Sequence, residues 1–186
     1  MMMHRTVIAV ALSFGLSLPS AFAQQQTAVS RDSLLQAARE IMTAARYCAL
    51  ITLSADGRAH ARVMDPFAPD TELVVRLGTN ALSRKVGEIR RDPRVTLFYF
   101  DRAGAAYVSL YGTAVIEEKA EVLQRWWKKE WQAFYPEREK TYRVITVRPQ
   151  RLEVVSEKHG ILGDTLTWAV PAVDFESKDN RDPARK

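Results

Sequence analysis

The chain has a single cysteine, Cys48, in 186 residues, so no disulfide can close within it. Its three histidines are scattered, and with one cysteine they give no metal-ligand spacing, which excludes the common zinc arrangements. There is no G-x-G-x-x-G and no G-x-x-x-x-G-K-[ST], so the usual dinucleotide and nucleoside-triphosphate motifs are missing. No internal repeat is visible. The formal net charge is +5, but the basic residues are interspersed with acids, without a dense run or an interleaved aromatic platform. A nucleic-acid partner is therefore not expected. Nor is there a long apolar run: Val7–Leu18 falls short of the roughly 20 residues that a spanning helix needs.

That short run has another reading. A weakly basic head (Met1 to Arg5), the apolar stretch, a break at Pro19-Ser20 and the small-residue pattern Ala21-Phe22-Ala23 form a secretory signal peptide, with cleavage expected after Ala23. The head has no Arg-Arg pair, so a twin-arginine route is not indicated. The expected organisation is a signal peptide over 1–23, one domain over 24–173 and a polar tail over 174–186. The mature protein would be periplasmic or secreted, with no membrane association after cleavage. Cys48 lies in the apolar stretch Tyr47-Cys48-Ala49-Leu50-Ile51, where it reads as a small buried hydrophobe, with a reactive thiol as the alternative.

Hydrophobic spacing predicts a helix over 31–45, begun by Ser30 as N-cap with Asp32 in the first turn. Strands follow over 47–53 and 58–64, joined by a turn at Ala55-Asp56-Gly57, and over 72–77. A short helix over 83–91 ends at Asp92-Pro93. A second hairpin (94–101 and 105–117) turns about Arg102-Ala103-Gly104. A helix over 118–134 carries Leu123, Trp127, Trp131 and Phe134 on one stripe, and a strand over 141–156 has a bend at Pro149. Hairpin-joined strands with inserted helices predict a mainly β fold, an antiparallel barrel with peripheral helices.

The segment Gly78-Thr79-Asn80-Ala81-Leu82-Ser83-Arg84-Lys85 leaves a strand and enters a helix. Ser83 is a good N-cap, which puts Arg84 and Lys85 in the first turn, where cations oppose the helix dipole. A bound anion would reverse that balance. Free backbone N–H groups, the hydroxyls of Thr79 and Ser83 and the two basic side chains would converge on a phosphate. On spacing alone, two basic side chains pointing into solvent are the alternative. Arg62, on the preceding strand pair, would add a third cation if the hairpin brings it alongside.

The same segment, followed by Ile89 and Asp92-Pro93-Arg94-Val95, resembles the flavin-phosphate segment of the pyridoxamine 5′-phosphate oxidase-like proteins. Arg62-Val63-Met64 is similar to the family's strand along the flavin ring, and Tyr107 to Ala114 to its strand ending in a "GxA" turn. Arg46 to Leu50 and Trp131-x-x-Phe134-x-Pro136 are most similar to its general-stress-protein branch. The resemblance implies an FMN-binding split barrel that forms a homodimer with the cofactor at the subunit interface. It implies Arg62, Ser83, Arg84 and Lys85 on the phosphate, Thr79 near the ring, Val63 and Met64 against it, and Tyr107 reaching the flavin of the partner subunit.

Two departures matter. The true oxidases have a Lys five positions after the Arg, where this chain has Phe67, and their Arg-rich C-terminal substrate segment is replaced by His159 to Asp164 and Trp168 to Pro171. Pyridoxal-phosphate synthesis is therefore not expected. The expectation is a flavin-dependent oxidoreductase acting on a small molecule, with no catalytic side chain assigned. The alternative is a non-catalytic flavin or tetrapyrrole (haem) binding stress protein, and deazaflavin is a further alternative cofactor. Trp126, Trp127 and Trp131 read as packing rather than ligand stacking. His60 alternates with Arg62 and reads as a partly exposed strand residue, with a haem or proton-transfer role as the alternative.

Overall fold

The structure is a computed structural model that describes residues 29–176. The leader expected over 1–23 and the tail end, 177–186, lie outside the described residues. Among the described residues, seven strands form one antiparallel sheet: β1 (Cys48–Leu53), β2 (Ala59–Met64), β3 (Val75–Asn80), β4 (Arg94–Asp101), β5 (Ala106–Glu117), β6 (Tyr142–Ser156) and β7 (Ala172–Asp174). Their order is β2-β1-β4-β5-β6-β3, with β7 on β6. Just beyond β2, Pro66 bridges to Leu77 and the Phe67 N–H donates to the Arg76 carbonyl at 2.9 Å, which brings the first strand of this order back to the last. The sheet thereby curls into a barrel.

Alternation sorts the side chains. Leu50, Leu97, Leu110, Leu152 and Val154 fill the interior, with Leu77, Ile145 and Val147 from the β3–β6 side. Helix α1 (Arg31–Ala45) covers this core with Leu34, Ala37, Ala38, Ile41 and Met42, packing on β4, β5, β6 and β7. Its start is fixed by Ser30, whose Oγ accepts the Ser33 N–H at 3.1 Å, a cap worth about 1 kcal/mol.

Outward-facing residues form cross-strand rows. One runs Val63–Ala49–Phe98–Ser109–Glu153, another Ala61–Ile51–Thr96–Tyr111–Arg151. Phe100 stands opposite Tyr107, and the Phe98 and Tyr107 rings meet with centroids 5.7 Å apart. Val63, Phe98, Phe100 and Tyr111 are all exposed, so this face is both apolar and open.

Three expectations need correction. The third strand runs from Val75 to Asn80 rather than over 72–77. The Asp70 carboxylate accepts the Glu72 and Val74 N–H groups, each at 3.0 Å, and Leu73 takes φ +59°, so these residues form a turn. The strand then continues through Thr79 and Asn80, paired with Arg143 and Tyr142.

The single helix over 118–134 is instead α3 (Ala120–Arg125) followed by a 3₁₀ turn, Lys129–Phe134. The Tyr142 hydroxyl donates to the Trp126 carbonyl; of the expected stripe, Trp127 and Trp131 stay together, their ring centroids 6.2 Å apart, while Phe134 leaves it. Trp126 packs on Phe67 and under Arg76, Trp127 on Tyr135 and Tyr142, and Trp131 on Phe67 and Tyr142. Phe134 is exposed. Tryptophan packing is thus what the cluster shows.

The irregularity expected at Pro149 is taken up across the ladder. β6 is continuous, and the register shifts between Tyr111 and Gly112, with Gly112 opposite Pro149. A Cβ on Gly112 would run into the Arg148 carbonyl.

Candidate functional site

Helix α2 (Arg84–Arg91) crosses the mouth of the barrel between β3 and β4, burying Val86, Glu88 and Ile89. Opposite it, β2 presents His60, Arg62 and Met64 on the half-buried side and Ala59, Ala61 and Val63 on the exposed side. The β1–β2 register places Thr52 against His60 and Leu50 against Arg62.

These elements converge on Glu88, which is only 4 % exposed. Its Oε2 accepts from the Thr52 hydroxyl at 2.5 Å and from an Arg62 terminal nitrogen at 3.1 Å. Its Oε1 lies 2.6 Å from His60 Nδ1 and 3.3 Å from Arg84 Nε. Arg62 also donates to the Thr52 hydroxyl at 2.6 Å and reaches the Leu50 carbonyl at 3.4 Å. Burial alone would push the Glu88 carboxyl up. The hydrogen bonds from Thr52, His60 and Arg62, with the charge of Arg62, outweigh it and hold the carboxyl at about 2. Glu88 is therefore ionised, and His60 Nδ1 carries the proton that it shares with it.

At the helix start, Ser83 has the extended backbone of an N-cap, yet its side chain makes no capping bond. Its hydroxyl pairs instead with that of Thr79, at 3.1 Å. Thr79 is buried at the end of β3, so this pair ties strand to helix and leaves the first-turn N–H groups without a side-chain cap. Arg84 is 70 % exposed at its side chain and meets Glu88 through Nε, and its terminal nitrogens make no hydrogen bond with a described residue. Lys85 is half-buried and makes no hydrogen bond or ion-pair contact with a described residue. Burial lowers its pKa, and the nearby Arg62 charge lowers it further.

The structure thus gathers Arg62, Thr79, Ser83, Arg84 and Lys85 at one end of the barrel. Met64 shares the side of Arg62. Val63 lies on the opposite face of the strand, exposed beside Ala49. Tyr107 belongs to that outward face too, against Phe98, and within one chain it does not join the cluster. Sequence reasoning missed Glu88 and Thr52. Glu88 stands four residues after Arg84, a helical pairing distance, and that spacing is the signal that marks it.

Phe67, where the oxidases have a lysine, packs edge-on against Trp126 and Trp131, with centroids 5.1 and 5.5 Å away. Lys128 Nζ lies 5.1 Å from the Phe67 ring but is held by Asp65 at 2.9 Å and the Pro66 carbonyl at 3.1 Å. Cys48 is buried, and burial pushes its thiol up to about 12, so it is an inert core residue and not a reactive one.

Comparison with known proteins places this geometry. No curated protein matches the chain. Among solved structures, a protein related to general stress protein 26 from Clostridium acetobutylicum superposes with a TM-score of 0.62 at 17 % identity, covering 69 % of this chain and 92 % of its own. A pyridoxamine 5′-phosphate oxidase-related, FMN-binding protein from Nostoc punctiforme gives 0.54 at 14 %, covering 79 % and 96 %. A heme-binding protein from Mycobacterium smegmatis gives 0.54 at 22 %, covering 68 % and 55 %. At these identities the likeness is one of fold, an antiparallel split barrel. The family model of pyridoxamine 5′-phosphate oxidase matches residues 34–156, from α1 to the end of β6, and the chain belongs to that family.

Proposed function

We propose that this protein binds FMN and acts as an exported, flavin-dependent oxidoreductase on a small molecule. The observation that carries the reading is the cationic start of α2, without a side-chain cap: among the described residues Arg84 bonds only through Nε and Lys85 is half-buried with no counter-ion contact, with Arg62 alongside. A half-buried ammonium beside the Arg62 charge, with Glu88 only partly compensating, is costly, and a phosphate there would offset that cost. The residues fit the group. Arg62, Ser83, Arg84 and Lys85 would hold its phosphate, with Thr79 near the ring and Met64 against it.

When bound, the flavin supplies the hydride or electron transfer, and the chain orients it and excludes water. No side chain is assigned to catalysis. Phe67, packed against two tryptophans where the oxidases have a lysine, argues against pyridoxal-phosphate synthesis.

The open apolar face supports a homodimer, with the flavin between subunits and Tyr107 and Val63 contributed to the partner's cofactor. Export rests on the pattern of residues 1–23. The test is the absorbance spectrum of the mature chain after incubation with FMN and removal of excess. Retained flavin bands support the reading; a colourless protein sinks it.

A second reading is haem binding without turnover. One observation favours it: His60 engages Glu88 through Nδ1, and Nε2 is left without a hydrogen bond to a described residue. A Soret band lost on His60→Ala would favour this reading over flavin, and a retained deazaflavin chromophore would favour the third cofactor.

A further inference from the structure

Glu88 and His60 carry no role in the flavin reading, yet they stand at the centre of its phosphate site. One carboxylate serves both guanidinium groups that a phosphate would engage: Oε2 meets Arg62 at 3.1 Å, and Oε1 meets Arg84 at 3.3 Å. The same Oε1 is 2.6 Å from His60 Nδ1. Because the carboxylate accepts only, Nδ1 must carry the proton, and a neutral ring then holds a lone pair on Nε2. The His60 side chain is 28 % exposed, so solvent can deliver a second proton to it.

We propose that phosphate capture at the start of α2 is coupled to proton uptake by the His60–Glu88 pair. This rests on the phosphate-site reading above. Arg62, Arg84 and Lys85 against Glu88 give three cations and one anion, a local net charge of +2. A phosphate monoester brings about −1.5 to −2 and cancels that excess. Glu88 then sits buried beside a second anion, with its guanidinium partners shared. The nearest group that can add positive charge near neutral pH is His60.

The other groups facing His60 do not substitute for it. On α2, Arg84 and Lys85 are the cations being neutralised. Arg91 is turned to the Leu53 carbonyl at 2.6 Å, and on β2 Arg62 stays charged throughout. On β1, Thr52 does not titrate. In the β1–β2 turn, Asp56 is held low by Ser54 and Arg58.

The experiment is calorimetric titration of FMN into the mature protein at a fixed pH near 7.5, in two buffers of different ionisation enthalpy. The expected result is net uptake approaching one proton per FMN, with affinity falling up to about tenfold per pH unit above the His60 transition. His60→Asn keeps an amide donor toward Glu88 but cannot titrate, and in it the uptake disappears. In parallel, the His60 ring signals are followed by NMR against pH with and without inorganic phosphate; phosphate should move their transition upward.

FMN binding with no buffer dependence and an unmoved transition overturns the proposal and leaves the flavin reading standing. If FMN is not retained but phosphate moves the transition, the flavin reading fails and the proton coupling holds for another phosphate-bearing ligand. If neither ligand acts on His60, both are overturned.

Discussion

Arg62 on β2 and Glu88 on α2 meet at 3.1 Å across the barrel mouth, with the Thr52 hydroxyl bonded to both. The contact joins a half-buried guanidinium to an almost fully buried carboxylate, so each partner makes the other tolerable.

The first prediction concerns stability and pH. The Glu88 carboxyl is depressed from 4.5 to about 2, so its contribution is fully present above pH 4.5 and lost as pH falls through that range. Glu88→Gln should destabilise by about 2 kcal/mol at neutral pH, the scale of hydrogen bonds to a charged group. The gap between variant and parent in urea unfolding should close as pH drops from about 5 toward 2. A constant gap would mean that Glu88 acts by packing and not by charge.

A second prediction separates binding from folding. Arg84 is exposed, so Arg84→Ala should change stability by less than about 0.5 kcal/mol. Lys85→Ala removes a half-buried cation that has no ion-pair contact with a described residue, and it should be neutral or stabilising. Under the flavin reading, each should cost about 1.5–3 kcal/mol of FMN affinity, the worth of a charge-assisted bond. Riboflavin, which has no phosphate, should bind both variants and the parent alike. Fluorescence quenching of the two flavins across the three proteins checks this, and equal losses for both would move the site away from the phosphate.

Much of this was legible in the sequence, for physical reasons that differ by element. The α1 stripe, the Gly57 hairpin and the Ser83-Arg84-Lys85 helix start are local patterns, and local chemistry decides them. The third strand slipped because Asp70 captures two backbone N–H groups, a side-chain bond that competes with strand pairing. The helix over 118–134 gives way to α3 and a 3₁₀ turn because its tryptophans pack on Phe67, Arg76 and Tyr142, partners distant in sequence that no local pattern shows. Glu88 escaped because a buried acid looks like an exposed one until its four donors are brought together.

Two glycines give opposite expectations. A Cβ on Gly78 would enter the Trp131 ring, so Gly78→Ala should cost about 1–3 kcal/mol and disturb tryptophan fluorescence. Gly87 lies inside α2 with open space where a Cβ would stand, and Gly87→Ala should stabilise by about 0.5–1 kcal/mol. Thermal melts of the two variants check both. A destabilising Gly87→Ala would mean that the exposed side of α2 is covered in solution.

The last prediction tests the proposed dimer through the outward face. Phe98 and Phe100 are 37 % and 56 % exposed in the single chain and point away from the core. Changing both to Asp should therefore leave folding nearly intact, within about 0.5–1 kcal/mol. If a second copy covers this face, each ring contributes about 1.5–3 kcal/mol to the association, and two buried carboxylates add a desolvation cost. The double variant should then sediment as a monomer at concentrations where the parent is a dimer. FMN retention should fall with it, because Tyr107, packed on Phe98, lies on the opposite face of the sheet from Arg62 and reaches a phosphate-bound flavin only across an interface. A parent that is monomeric at these concentrations would remove the dimer and leave the cluster around Glu88 to bind its ligand within one chain.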